Sequence, residues 1–366
     1  MTPPPHVLAV VKGLDIGGAE RMIAEGARHW DRAEFHYTVA YALPQRNALV
    51  GPLEALGVEV RSVGRSARLG PGVAARLRRL IVDESVDLVH AHLPAIGIIA
   101  RMVSPVPVVY TEHGIVSSYR APTRLANRLT YRRNAAVIAV SRAVADSTAG
   151  YGGPTPIVIP NGVGVDVAPA AAARARAELG LMPHDPLVVH VGNIRPEKGH
   201  EILIGAAAIL SRRRPDLTIA SIGLEVVPGD LERLRASARR AGAGDTIHFL
   251  GSRADALDFV AAADVYAHPS TDESFGLAVL EAMALERPVV AAAAGGVPDI
   301  VHGEKTGILV PPGDPGALAA GIERLLDDPE TAARLATAAH RVATRQYSIE
   351  SMVRSIEGVY RKVLHG

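Results

Sequence analysis

Short apolar runs alternate with longer amphipathic stretches along nearly the whole chain. In the first half these runs predict strands near Val7–Val11, Tyr37–Tyr41, Val58–Val60, Leu88–His90, Val106–Tyr110, Ala136–Val140 and Ile157–Ile159. The second half repeats the rhythm near Leu187–Val191, Leu217–Ile222, Ile247–Leu250, Val265–His268, Val289–Ala292 and Gly307–Val310. Helical spacing falls between them, as at Gly18–Trp30, Ala170–Leu179, Ala317–Leu326 and Ile349–Leu364. Strands separated by helices predict parallel sheets, so the fold class is α/β. At 366 residues the chain is too long for one ordinary core and suits two domains. The expected division is 1–163, 164–348 and a last helix over 349–366, with the linker at Asn161–Pro169.

Composition narrows the classes. Apolar residues make up 48%, enough for two buried sheets, and cysteine is absent, which excludes disulfides and thiolate chemistry and suits a cytoplasmic setting. The apolar run near the N-terminus breaks at Lys12-Gly13, too early for a signal peptide, and no run approaches the length of a membrane span. Charge is uneven: residues 1–160 hold 18 Lys and Arg against 12 Asp and Glu, a net +6, and residues 161–366 hold 21 against 26, a net −5. The first half is therefore expected to meet something anionic. Nucleic acid is a poor fit, since aromatic content is 4% and no recognition motif occurs. Arg124, Arg128 and Arg132 recur at helical spacing, and Arg76, Arg78 and Arg79 form a second cluster. Solvated helix faces explain such runs; the competing expectation is contact with an acidic acceptor or with anionic headgroups, as a peripheral protein on the inner face of the membrane.

Two carboxylates, Glu273 and Glu281, bracket the small, apolar stretch Ser274-Phe275-Gly276-Leu277. A strand precedes it, so a helix is expected to begin near Phe275 and to present unpartnered backbone N–H groups to an anion. A phosphate there would have one carboxylate on either side, the layout required by a nucleotide-sugar: sugar hydroxyls, diphosphate and ribose hydroxyls in a row. The loop Gly192-Asn193-Ile194-Arg195-Pro196-Glu197-Lys198-Gly199 follows another strand and carries two cations able to meet a departing diphosphate. Lys198 is one of only four lysines, beside 35 arginines. Gly17-Gly18 opens the first helix, where paired glycines permit close approach and positive φ, although the dinucleotide fingerprint is missing. Tyr110-Thr111-Glu112-His113-Gly114 ends a strand where open α/β sheets bind ligands, and His90 and His92 end the strand before it. Those three histidines lack the acidic or cysteine spacing of a metal site, and no metal or cofactor is expected.

These stretches resemble the retaining nucleotide-sugar glycosyltransferases of family 4. The resemblance rests on the E-x7-E pair, Ala139-Val140-Ser141, Ile159-Pro160-Asn161-Gly162-Val163, Val191-Gly192 with Glu197-Lys198-Gly199, and Gly295-Gly296-Val297-Pro298-Asp299, in that order. It implies two Rossmann-like domains facing each other across a cleft, the final helix returning to the first domain, the donor on the second and the acceptor on the first. By resemblance, Glu273 holds hydroxyls of the transferred sugar, the amides of Phe275, Gly276 and Leu277 meet the donor near the phosphate, and Ser274 and Asn193 also belong to the donor site. Glu281 takes the ribose diol, and Lys198 and Arg195 stabilise the leaving diphosphate. His113 positions the sugar, Gly17 and Gly18 complete the pocket, and Gly223 passes under the base. The family commonly has Arg directly after the glycine, where this chain has Asn193, so Arg195 would have to supply that cation. The implied reaction is metal-independent and retaining. A nucleotide-sugar epimerase of the same architecture and a non-catalytic sugar-nucleotide-binding protein are the rival readings.

Overall fold

The computed structural model describes residues 3–15, 17–66, 69–165 and 167–366; Asp166 of the expected linker lies outside them. The chain divides into two compact units, one of Met1–Gly162 with Ser348–Gly366 and the other of Val163–Tyr347.

The first unit is built on seven parallel strands: β1 His6–Val11, β2 His36–Tyr41, β3 Glu59–Ser62, β4 Leu88–His92, β5 Val108–Glu112, β6 Ala136–Ala139 and β7 Ile157–Val158. Their order is β3-β2-β1-β4-β5-β6-β7. Its helices are α1 Gly18–Gly26, α2 Val50–Ala55, α3 Pro71–Asp83, α4 Pro94–Val103, α5 Ala121–Thr130 and α6 Arg142–Ser147. Alternation along β1 sends Leu8 and Val10 into one core with Leu77, Ile96 and Tyr110, and Ala9 and Val11 into another with Ile23 and Leu53. Both faces of the sheet are thereby covered, as a parallel sheet requires.

The second unit follows with α7 Pro169–Glu178 and six parallel strands: β8 Leu187–Val191, β9 Thr218–Ile222, β10 Ile247–Gly251, β11 Val265–His268, β12 Val289–Ala292 and β13 Ile308–Val310. Their order is β10-β9-β8-β11-β12-β13. Around them lie α8 His200–Leu210, α9 Asp230–Arg240, α10 Ala256–Ala262, α11 Leu277–Ala284, α12 Val297–Ile300, α13 Pro315–Asp327 and α14 Pro329–Gln346. The last helix, α15 Ile349–His365, belongs to the first unit and packs on α1. Its buried Glu357 accepts from Tyr37 Oη at 2.8 Å and from the Asp31 amide at 2.9 Å.

Several boundaries differ from expectation for physical reasons. β5 starts after Pro107, which cannot donate to a ladder, and runs through the polar Thr111 and Glu112 because both are buried. β4 likewise continues through His92, whose ring is buried. The first helix stops at Gly26 rather than Trp30, whose ring turns to stack on Tyr37 at 4.3 Å. The expected arginine face also breaks: α5 ends at Thr130, and Arg132 falls in a separate 3-10 turn, Tyr131–Arg133, pinned by the buried Tyr131.

In each sheet the strand order reverses once, between β1 and β4 and between β8 and β11. The loops leaving such a pair in opposite directions open a crevice beyond the carboxyl ends of the strands.

Candidate active site

In the second unit, the crevice is flanked by the loop after β8 and the loop after β11, and these carry Lys198 and Glu273. The two loops are bound together. The Thr271 amide donates to Glu197 O at 2.8 Å, and the α-carbon of Gly199 lies so close to Pro269 O that a Cβ would stand 2.1 Å from it. Gly199 also has φ +72°, so glycine is required there twice over. Lys198, one residue earlier, is thereby aimed at Glu273.

Lys198 Nζ stands 2.6 Å from Glu273 Oε2, and His268 Nε2 stands 3.0 Å from the same oxygen. A carboxylate only accepts, so His268 carries its proton on Nε2. Burial alone would raise the Glu273 carboxyl; the hydrogen bond from His268 and the charge of Lys198 outweigh it and hold the group down at about 2. The Gly296 amide donates to Glu273 O at 2.8 Å, tying the Gly295-Gly296 turn to the same loop.

The helix expected from Phe275 begins two residues later. Gly276 is its N-cap with φ +98°, a conformation that a side chain rarely adopts, and α11 starts at Leu277. Phe275 is buried against the Tyr347 ring, and Ser274 is half-buried. Glu281 lies about 6 Å along the axis from Leu277 by helical rise, and is 6% exposed.

The other expected residues are spread more widely. The Gly223 amide donates to Gly251 O at 2.9 Å, so the ends of β9 and β10 are joined. Asn193 is exposed and accepts from the Leu224 amide at 3.3 Å. Arg195 is exposed, pairs with Glu197 at 3.8 Å, and borders a surface pocket with Glu201, Asp230 and Arg233 that neither Lys198 nor Glu273 lines. Gly17 caps α1 with an ordinary φ of −110°, so the positive φ expected there is not used; a Cβ there would meet only the movable carboxylate end of Glu20. Gly18 is exposed at the first position of α1.

In the first unit His113 follows β5, and its Nε2 lies 3.1 Å from His92 Nδ1. His90 bonds Tyr360 Oη through Nδ1 at 2.6 Å and Thr111 Oγ1 through Nε2 at 2.7 Å. Burial pushes His113 down to about 4, His90 to about 3 and His92 well below its usual value, so all three are neutral at pH 7. With Met22, Trp30 and Tyr360 they line one pocket.

On the opposite face of β5, Glu112 is fully buried. It accepts from Tyr110 Oη at 3.0 Å, Asn127 Nδ2 at 3.2 Å and Tyr119 Oη. Tyr119 also reaches Gly114 O at 3.3 Å, so Glu112 anchors the chain just beyond His113. Asn127 cannot turn its amide, since its Oδ1 accepts from the buried Arg101 at 2.5 Å. Glu112→Gln would set one amide NH2 against another, and we expect a loss of about 1–3 kcal/mol in stability, measured by denaturant unfolding.

Three of these groups, His268, Asn127 and Arg101, were not singled out from sequence. His268 had a legible signal, a histidine ending an apolar strand five residues before Glu273; Asn127 and Arg101 had none, as polar residues of ordinary helices. The arginine clusters are partly occupied: Arg76 Nε donates to Val63 O at 2.6 Å and Arg78 to Val103 O at 3.0 Å, while Arg79, Arg124 and Arg128 are exposed. Among the described residues no cluster of three acidic, histidine or cysteine side chains forms a metal-ligand set, and no helix is long and apolar enough to cross a membrane.

Residues 172–342 match the family model of glycosyl transferases group 1, and residues 16–167 match that of Glycosyltransferase Family 4. The chain belongs to this family of glycosyltransferases and has its two-domain GT-B fold. It is 34% identical to the D-inositol 3-phosphate glycosyltransferase of Corynebacterium efficiens, over 79% of this chain and 74% of that one. Among solved structures it is similar to Anabaena Alr3699/HepE in complex with UDP and glucose, at TM-score 0.87 and 26% identity, over 98% of this chain and 100% of that one. Sucrose-phosphate synthase from Thermosynechococcus elongatus shares the fold at TM-score 0.84 and 23% identity, covering 99% of both chains.

Proposed function

We propose that the protein transfers a hexose-type sugar from a UDP-linked donor to a hydroxyl of a phosphorylated polyol, with retention and without a metal. The observation that carries this reading is the Lys198–Glu273 pair at the crevice between β8 and β11, beside the open N-terminus of α11. Lys198 and the amides of Phe275, Gly276 and Leu277 would take the charge that grows on the leaving diphosphate, so the protein itself supplies the neutralisation. Glu273 would hold sugar hydroxyls through Oε1, Glu281 the ribose diol, and neutral His113 a further sugar hydroxyl. Gly223 and Asn193 would line the base end; Gly17 and Gly18 would border the acceptor. Arg195 enters this role only by turning from Glu197. Retention would follow from attack on the face the diphosphate leaves, with the leaving phosphate taking the acceptor proton.

The acceptor class draws on the net positive first half of the chain and on the inositol phosphate acceptor in the name of the relative. The polyol phosphate is free or a lipid headgroup. The headgroup form has support from Leu125 and Leu129, 59% and 66% exposed beside Arg124 and Arg128, a combination suited to an anionic surface on the cytoplasmic side.

Incubation with UDP-, GDP-, ADP- and TDP-hexoses, with EDTA, tests the reading by NMR of the anomeric proton. Inositol phosphate in one arm and vesicles containing an inositol-phosphate lipid in the other separate the two acceptor sources. The expected result is acceptor-dependent UDP release and an axial product from an axial donor. Donor conversion without acceptor would indicate the epimerase, and binding without any turnover the non-catalytic protein.

A further inference from the structure

The two groups that hold Glu273 differ in mobility. Lys198 has a flexible four-carbon stem, three donors and a 24% exposed side chain. His268 ends β11, is 2% exposed and lies nearly parallel to the Tyr266 ring, with centroids 6.2 Å apart and 22° between planes. Both donate to Oε2, so in the ligand-free site they duplicate one another. Once an anionic donor occupies the crevice, the lysine has a second claimant and the histidine does not.

We propose that His268 is a positioning residue that keeps the Glu273 carboxylate oriented after Lys198 turns to the diphosphate. This rests on the donor site proposed above and goes beyond it, since it assigns separate duties to two donors on one oxygen. Without His268, a Glu273 released by Lys198 would face burial with neither of the two donors that now hold it charged. His190 on β8 and His200 on α8 are buried, and burial lowers both below the ordinary histidine value. Glu273 would then bind a proton and lose its fixed acceptor geometry.

The test uses full-length His268→Phe, His268→Gln and His268→Asn. Glutamine can bring its amide nitrogen to the position of the ring Nε2; asparagine is too short. Phenylalanine and asparagine should lower kcat about tenfold to a hundredfold, the cost of a misplaced reacting group, with little change in donor KM, and should move the acid limb of kcat upward. Glutamine should restore most of both. A second readout needs no turnover: 13C NMR titration of Glu273 in Lys198→Met, where the lysine is already gone, should show a carboxyl that rises further when His268→Phe is added. Wild-type kcat and acid limb in His268→Phe would overturn the proposal. So would glutamine as impaired as asparagine, which would leave only ring packing. If His268→Phe fails to fold, the glutamine–asparagine contrast decides. A wild type inactive with every donor would sink the transfer reading, and the Glu273 titration would still judge His268.

Discussion

Lys198→Met is expected to lower kcat/KM for the donor by about 10²- to 10³-fold, the scale on which a preorganised charge-stabilising group acts. The same change strips Glu273 of its ion pair and leaves His268 as its remaining donor among the described residues. Breaking a fully buried pair costs about 3–5 kcal/mol; with His268 still in place, a stability loss nearer 2 kcal/mol is expected at pH 7. Steady-state kinetics and denaturant unfolding separate the two effects. The pH dependence has a definite sign. The Glu273 carboxyl is held at about 2, below its ordinary value of 4.5, so its contribution is present above pH 4.5 and lost as pH falls towards 2. In the methionine variant that window should narrow from below, because the folded-state value rises. Equal acid profiles in the two proteins would contradict the pairing.

The second large effect concerns the first unit. His90 and His92 are buried, His113 is half-buried, and all three are neutral, each held below its ordinary 6.5. A group depressed in this way contributes full stability above pH 6.5 and loses it progressively as pH falls towards its folded value. At pH 5 His90 and His113 each cost about 2 kcal/mol relative to pH 7, and His92, lowered by burial and by both neighbouring rings, acts in the same direction. Glu112 works in the opposite direction. Burial raises it to about 6 despite its hydrogen bonds, so it favours the fold below that pH and returns about 1–2 kcal/mol at pH 5. A net loss of stability is expected between pH 7 and pH 5, since three histidines oppose one carboxyl. Trp30, the only tryptophan, stacks on Tyr37 in this unit and gives the fluorescence readout. His113→Asn should remove close to one histidine's share of the slope. An acid transition that begins only below pH 4.5 would show that these histidines are not the groups responsible.

Much of this was legible in the sequence, and the gaps have physical causes. Apolar runs of three to six residues marked the strands because both faces of each sheet are covered, so neighbours such as Leu8 and Ala9, or Val188 and Val189, need no polar alternation. Strand ends were read short wherever polar residues continue the ladder: Thr111, Glu112 and His92 look like loop in a hydropathy pattern and are buried with partners elsewhere in the unit, His90, Asn127 and His113 respectively. The start of α11 was misplaced by two residues because Ser274-Phe275 has acceptable helix composition, whereas the left-handed backbone at Gly276 is a tertiary fact. The spacing of Glu273 and Glu281 survives that shift, since it depends on sequence separation alone. The partner of Glu273 did not follow from spacing: Lys198 lies 75 residues away, and only the β8/β11 reversal brings them together. Arg195 shows the converse. Two cations in one loop read as a pair, yet the structure gives them different partners, Glu197 for Arg195 and Glu273 for Lys198.

The most direct test of the central claim, that the donor is held in the second unit by the loops after β8 and β11, is hydrogen exchange read by mass spectrometry with and without UDP-hexose. The account predicts slowed exchange in peptides spanning 192–199 and 271–285, with the effect at 192–199 lost in Lys198→Met. A donor that is turned over, or that binds, while both segments exchange as in the free protein would contradict it.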